Sequence, residues 1–109
     1  MAKQIKFNFE GREYTLEYSR RTVRTMEEQG FIGSELGEKP MMVLQLWSGA
    51  FLMHHRFEKQ DKIDKIYAAM PDKEGLIGKL IEMYNEPIEA LMKEPEEETS
   101  GKIDWTASW

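Results

Sequence analysis

Apolar and polar residues alternate in two short stretches near the start of the chain, residues 5–9 and 14–18. Alternation with a period of two is typical of half-buried β-strands. We predict a hairpin with a two-residue loop at Gly11 and Arg12, and glycine in the first loop position favours a type II′ turn. The predicted cross-strand pairs are Phe9 with Tyr14, Phe7 with Leu16, and Ile5 with Tyr18. All of them share one face, which must pack on helices because a lone hairpin is marginal in water.

Helical patterns follow the hairpin. Ser19 is a suitable N-cap for a first helix over residues 20–29, and Gly30 is a suitable stop. A second helix is predicted over residues 40–53, where no residue is charged. Fourteen residues are too few to span a bilayer. A helix that is apolar on most sides is either a central core helix or one that also faces a subunit interface, and we favour the first interpretation.

Two further helices complete the pattern. Asp61 is a suitable N-cap for the third helix, and Pro71 with Asp72 ends it and begins the fourth. Pro87 predicts a kink in the fourth helix. One apolar stripe at helical spacing runs along that helix, and its members are Ile77, Leu80, Ile81, Tyr84, Ile88, Leu91 and Met92. The expected fold is α+β: an N-terminal hairpin packed on about four helices in one domain over residues 1–92.

Residues 93–109 differ in composition from that domain, and we expect them to form a flexible, acidic tail. Residues 94–101 are rich in glutamate and interrupted by proline, serine and glycine, whereas two of the three tryptophans, Trp105 and Trp109, lie in the last five residues. Each indole could bury about 200 Å² in a pocket, and tryptophan is a frequent interface anchor. We therefore predict that Ile103, Trp105 and Trp109 contact a partner or the chain's own domain.

The bulk composition excludes several functional classes. The chain has 109 residues, no cysteine and a net charge of −5. Disulfides and thiolate chemistry are thereby excluded, and non-specific binding to nucleic acid or anionic membrane is disfavoured. Strand pattern begins directly after the first residues, so we expect no signal peptide and a cytoplasmic location.

Candidate chemistry along the chain is sparse. His54 and Glu58 would share a helix face, but the adjacent His55 would point about 100° away and no further ligand pattern is evident. Asp61 and Asp64 are better explained as a cap and a first-turn acid than as a catalytic pair. We therefore expect no metal site, no cofactor and no enzymatic activity.

Binding features are more evident. Eight methionines, several of them in the helical patterns, suit a surface that adapts to apolar segments of other proteins. Met42, Trp47 and Met53 are the candidate contacts there. A basic patch of Arg20, Arg21 and Arg24 is expected on the first helix, where it could attract the acidic tail of this molecule or a neighbour. The uncharged second helix also makes self-association plausible.

Nearly the whole chain resembles small proteins encoded in the tail-morphogenesis region of siphophages and prophages of Gram-positive bacteria. The resemblance is carried by residues 5–16, 19–31, 49–51, 83–88 and 105–109. These proteins resemble tail assembly chaperones, which implies binding to the long helical tape-measure protein and to tail-tube subunits in the host cytoplasm, and absence from the finished virion. A frameshifted longer form occurs in many such systems. No site residue is carried over from the resemblance.

Two alternatives to a chaperone are compatible with these patterns. One is a structural virion component, such as a head–tail connector or tail completion protein. The other is a small regulatory or host-interaction protein that binds nucleic acid, against which the charge of −5 argues.

Overall fold

The computed structural model describes residues 3–93 and 104–109. A two-stranded antiparallel hairpin is followed by four α-helices, which confirms the α+β fold. The elements in order are β1 (Ile5–Phe9), β2 (Arg12–Leu16), α1 (Arg20–Glu28), a 3-10 turn (Gly33–Glu35), α2 (Met42–Gly49), α3 (Gln60–Ala69) and α4 (Lys73–Leu91). In the described part of the chain, no helix is both long and apolar enough to cross a membrane.

The hairpin is confirmed, but its predicted loop and register are wrong. The loop is Glu10-Gly11, both with positive φ (51° and 80°), which is the requirement of a type I′ turn. The observed pairs are Phe9 with Arg12, Phe7 with Tyr14, and Ile5 with Leu16. This register differs from the predicted one by two residues, and because side chains alternate with a period of two, the same residues still face the helices.

Helix α1 follows its predicted signals closely. The Ser19 hydroxyl accepts the backbone N–H of Thr22, and the Thr22 hydroxyl accepts the N–H of Ser19, so both ends of a capping box are present. Gly30 adopts φ 94° after the helix. The chain then folds back, the N–H of Phe31 donates to the carbonyl of Met26 at 3.0 Å, and the Phe31 ring is buried.

Helix α2 is shorter than predicted. Its buried residues Leu46 and Trp47 confirm a core position, but the helix ends at Gly49 and Ala50 is its C-cap. Bonds of the i→i+3 kind close the end, since Phe51 N–H donates to the Ser48 carbonyl at 3.1 Å. Residues 51–58 then form turns rather than a helix, so His54 and Glu58 do not share a helix face.

The two C-terminal helices are joined by a short connection. Asp61 is not the predicted N-cap of α3, because Lys59 occupies that position and Asp61 lies in the first turn. Asp72 caps α4 as predicted, and its carboxylate accepts the N–H of Gly75 at 3.2 Å. Helix α4 continues through Pro87 to Leu91.

The core lies between the inner face of the hairpin and the helices. Its largest fully buried side chains come from β2 and from the segments of α2, α3 and α4; they are Trp47, Tyr14, Phe51, Leu16, Leu46, Ile66 and Leu80. Trp47 is central, because its ring lies 6.2 Å from Phe7, 5.2 Å from Phe51 and 5.5 Å from Tyr67. Its indole N–H donates to the Ile63 carbonyl at 3.0 Å.

Candidate functional site

The apolar stripe predicted on α4 is divided between the core and the surface. The buried residues of α4 are Leu76, Leu80, Met83 and Tyr84. Leu76 and Met83 were not members of the predicted stripe. The remaining apolar positions are only partly covered or are exposed, and they are Ile77, Ile81, Ile88, Leu91 and Met92. The predicted stripe is therefore only partly buried, because α4 is apolar over a wider arc than the core covers.

The uncovered side of α4 borders an apolar groove. The groove has a volume of about 540 Å³ and lies between α4, residues 31–37 and the first turns of α2. Buried side chains of Phe31, Leu46 and Tyr84 form its floor. The walls are apolar on both sides, with Leu36 and Val43 opposite Ile77 and Ile81.

Aromatic contacts fix the floor of the groove. The Tyr84 ring meets the rings of Phe31 and Tyr18 edge-on, with centroid distances of 5.3 and 5.5 Å. The Tyr18 hydroxyl donates to the Leu46 carbonyl, which joins the floor to α2. Burial, and then the negative charge of Glu27, raises the pKa of Tyr84, so its phenol stays neutral.

Close approach of the backbone completes one wall. A Cβ at Gly33 would lie 3.3 Å from Cε2 of Tyr84, so the absence of a side chain allows the 3-10 turn to approach α4. Gly30 begins this arrangement, because its positive φ reverses the chain after α1. The groove is thus built by local signals at Gly30 and Gly33 together with tertiary contacts to Tyr84.

A second depression of about 440 Å³ extends the groove along α4 and shares Tyr84 with it. Ile32 and Ile88 line this extension and are 48% and 36% exposed. The polar side chains of Glu27 and Asn85 lie at its border. An apolar trough with a polar rim, beside a helix with outward apolar residues, is the geometry that receives an amphipathic helix.

Sequence reasoning missed these groove residues, although a signal for them was present. Apart from alanine and proline, α4 carries eight apolar side chains in nineteen residues, which is more than a single narrow core stripe requires. The contribution of Ile32 and Leu36 had no such signal, because it depends on the fold bringing residues 31–37 against α4.

The predicted contacts of the second helix lie elsewhere. The prediction that Trp47 belongs to a partner surface is wrong, because Trp47 is 0% exposed and serves as the centre of the core. Met42 is half-buried and packs against the core. Met53 is 43% exposed, but it lies in the turns after α2 and not in the groove.

The predicted contacts of the C-terminal end are accessible where the structure describes them. Trp105 is 79% exposed and Trp109 is fully exposed. Ile103 and the acidic residues 94–101 lie outside the described residues. The role of this end in binding therefore stays a prediction.

The predicted basic patch is present on the exposed side of α1, where Arg20, Arg21 and Arg24 all lie at the surface. Arg20 approaches the end of α4, with Nη2 3.4 Å from the Ala90 carbonyl that accepts its hydrogen bond. The patch therefore adjoins the C-terminal end of the apolar face of α4.

The histidines and acids of residues 51–58 fasten that segment to the hairpin. The buried Glu17 carboxylate accepts hydrogen bonds from Gln4 and interacts with His54 Nε2 at 2.9 Å. Burial raises the pKa of Glu17, but the hydrogen bonds from His54 and Gln4 outweigh it and hold that pKa below its ordinary value. Within residues 3–93 and 104–109, no three histidines or acids lie where they could hold a metal ion.

Two more contacts of this segment explain its other polar side chains. His55 Nε2 accepts the N–H of Thr15 at 3.0 Å, which requires a neutral ring. Glu58 accepts the Tyr14 hydroxyl at 2.7 Å and pairs with Arg12 at 3.2 Å. These groups therefore have structural partners.

A further cleft, of about 450 Å³, lies between α2 and the start of α3. Three of its polar side chains bond to one another, since Gln60 Nε2 donates to the Ser48 hydroxyl and the Asp64 carboxylate at 2.9 Å each. Among the described residues, no buried side-chain nitrogen or oxygen lacks a partner. The apolar groove is consequently the better candidate site.

Comparison with known proteins adds a family. A family model described as a domain of unknown function, DUF5055, matches residues 1–109. The chain belongs to the DUF5055 family. No curated protein matches the chain, and no solved structure matches it. Membership of this family implies no activity by itself.

Proposed function

We propose that the protein is a phage tail assembly chaperone that acts by binding an apolar helical segment of a client, the tape-measure protein. The observation that supports this proposal best is the apolar groove beside α4, with Ile81 and Ile88 left partly exposed on its border. The resemblance along the chain supplies the client's identity, and the groove supplies a way to bind it.

The spacing of the exposed side chains on α4 suits contact with one helix. Ile81, Ile88 and Leu91 are spaced by seven and three residues, so they form one outward ridge on α4. A client helix with apolar residues at i, i+3, i+4 and i+7 could pack along this ridge and over the groove. Covering the remaining surface of one isoleucine stabilises the complex by up to about 1 kcal/mol, which corresponds to roughly fivefold in affinity.

The C-terminal end adds a tethered contact in this proposal. Trp105 and Trp109 are exposed and follow the end of α4, which borders the groove. Once the groove holds one client segment, binding of a second segment by the tryptophans becomes intramolecular, and the effective concentration strengthens it. The role is non-enzymatic, and it places the protein in the host cytoplasm during assembly, with tail-tube subunits as further partners.

The proposal is tested by co-expressing the tagged chain with its neighbouring open reading frames and identifying what co-purifies. A very long helical protein is expected. Exchanging Ile81 and Ile88 for glutamine together should reduce the amount recovered about tenfold or more, because two apolar contacts are lost.

A matched control is available on the same helix. Lys79 and Glu82 are exposed, form an ion pair at 3.7 Å and do not line the groove. Exchanging both for glutamine keeps the net charge and should leave client recovery unchanged. Equal loss in both double variants, or recovery of no helical client, would refute the proposal. Mass spectrometry of purified particles separates a chaperone, which is absent, from a virion component, which is present at fixed copy number.

A further inference from the structure

The outer edge of β1 is open for pairing with another strand. In a hairpin with a two-residue loop, the residues flanking the loop form a hydrogen-bonded pair, and the pattern alternates from there. Phe9, Phe7 and Ile5 therefore bond to β2, whereas the backbone N–H and C=O groups of Lys6 and Asn8 point outward. Among the described residues, no hydrogen bond reaches those groups.

The outer edge of β2 is covered, which makes the two edges of the sheet unequal. The N–H of Thr15 donates to His55 at 3.0 Å, and the N–H of Glu17 donates to the Ala50 carbonyl at 3.2 Å. Ala50 and His55 thus cover one edge. On the other edge, the inward side chains of β1 remain only half-buried, and these are Ile5, Phe7 and Phe9.

The C-terminal segment has the pattern of a strand that could fill this edge. Residues 103–109 alternate between apolar and polar, with Asp104, Thr106 and Ser108 at the polar positions. The described part of this segment, residues 104–109, is exposed and makes no regular structure. A single acid, Asp104, lies in it, and a single base, Lys6, lies in β1.

We propose that the C-terminal segment of one copy pairs as a third strand with the open edge of β1 in a second copy. Trp105, Ala107 and Trp109 then lie beside the half-buried apolar side chains of β1, and their face of the sheet becomes covered. Asp104 lies on the same face as Lys6, where opposite charges on neighbouring strands attract. Backbone hydrogen bonds supply the pairing and the alternating side chains supply its specificity.

The donor is a second copy because both halves of the contact are free in each molecule. Trp105 is 79% exposed while the β1 edge of the same molecule has no partner among the described residues. Such a contact joins copies either reciprocally, as a dimer that exchanges its C-terminal segments, or head to tail, into rings or chains. This inference concerns self-association of the protein before its C-terminal segment contacts a client, and it does not depend on the identity of any client.

Disulfide trapping tests the pairing, and the natural chain contains no cysteine to interfere. One population carries Asn8→Cys and the other carries Thr106→Cys or Ser108→Cys. Mixing them under mild oxidation should give a cross-linked dimer on a non-reducing gel. A control population with Phe57→Cys should cross-link far less with the C-terminal cysteines, because Phe57 is exposed in the segment that contacts β2 and not β1. Equal cross-linking of both would overturn the proposal.

The source of the strand is resolved by placing both cysteines, Asn8→Cys and Thr106→Cys, in one chain. A linked dimer or larger linked species are expected from pairing between copies. A closed monomer as the main product would show that the segment folds back on its own sheet, which would overturn the assignment to a second copy.

Edge-blocking variants test the backbone contact in the full chain. Asn8→Pro removes an outward N–H without breaking the bonds to β2, whereas Asn8→Ala keeps that N–H. Sedimentation should show association weakened at least about tenfold by the proline and nearly unchanged by the alanine. If Asn8→Pro fails to fold, charge exchange decides: Lys6→Glu and Asp104→Lys should each weaken association, and the two together should restore it. Unchanged association in these variants would overturn the proposal.

Discussion

Neighbouring residues on α4, Leu80 and Ile81, should respond very differently to truncation. Leu80 is 0% exposed in the core, and a fully buried Leu→Ala change costs about 2–5 kcal/mol through lost burial and the cavity left behind. Ile81 is 37% exposed and borders the groove. Since full burial of an isoleucine contributes about 1.5–3 kcal/mol and alanine retains part of it, Ile81→Ala should cost only about 1 kcal/mol.

Thermal unfolding followed by circular dichroism gives the comparison directly. For a domain of this size, 1 kcal/mol corresponds to about 4–8 °C, so Leu80→Ala should lower Tm by about 10 °C or more and Ile81→Ala by less than that. Among variants that remain folded, Ile81→Ala should reduce the amount of client recovered more than Leu80→Ala does. If Ile81→Ala destabilises the chain as much as Leu80→Ala, the division of α4 into a core face and a binding face is incorrect.

Four further predictions concern parts of the chain outside the groove. Burial, and then the positive charge of Arg12, lowers the pKa of His55 below its ordinary value of 6.5, so the unfolded chain takes up a proton at this histidine before the folded chain does. The free energy of unfolding, measured with urea, should therefore decline as pH falls below about 6.5. His55→Gln keeps a neutral hydrogen-bond acceptor and should flatten that decline. The lowered pKa of Glu17 acts in the same direction in a lower window, with stability lost as pH falls below 4.5. Tyr14→Phe removes a hydroxyl that donates to Glu58 at 2.7 Å and should cost about 1–2 kcal/mol in denaturant unfolding, whereas no measurable change would mean that the bond is absent in solution. A chain ending at residue 94 should keep the Tm of the full chain while binding client more weakly, and loss of folding on truncation would place the C-terminal end in the core.

The elements with strong local signals were predictable from the sequence. Ser19, Gly30 and Asp72 each act at the helix end where their chemistry predicts them, because capping is a contact between residues that are close in the chain. The hairpin was predictable as an element, but its register was not. Gly11 can occupy either loop position, and the apolar face is the same in both registers, so alternation alone cannot choose between them.

Features decided by tertiary contact were not predictable. The uncharged run over residues 40–53 contains Gly49, where α2 ends, but a single glycine inside an apolar helical pattern does not by itself end a helix. The following turns carry His55 and Glu58 to the hairpin, and this tertiary contact had no signal in the sequence. The prediction that Trp47 contacts a partner was wrong for a related reason. A large aromatic residue in an apolar helix suits a core and an interface equally, and only its position among the other aromatic rings decides between them.

Radical footprinting of the co-purified complex tests the central claim most directly, since it reports which side chains a client covers. Ile81, Ile88 and Leu91 are at least partly exposed on α4, and Phe57 is exposed in the turns after α2 as an internal reference. Binding of a client in the groove should reduce the reactivity of the three α4 residues severalfold and leave Phe57 unchanged. Unchanged reactivity on α4 in a complex that contains client would contradict the account.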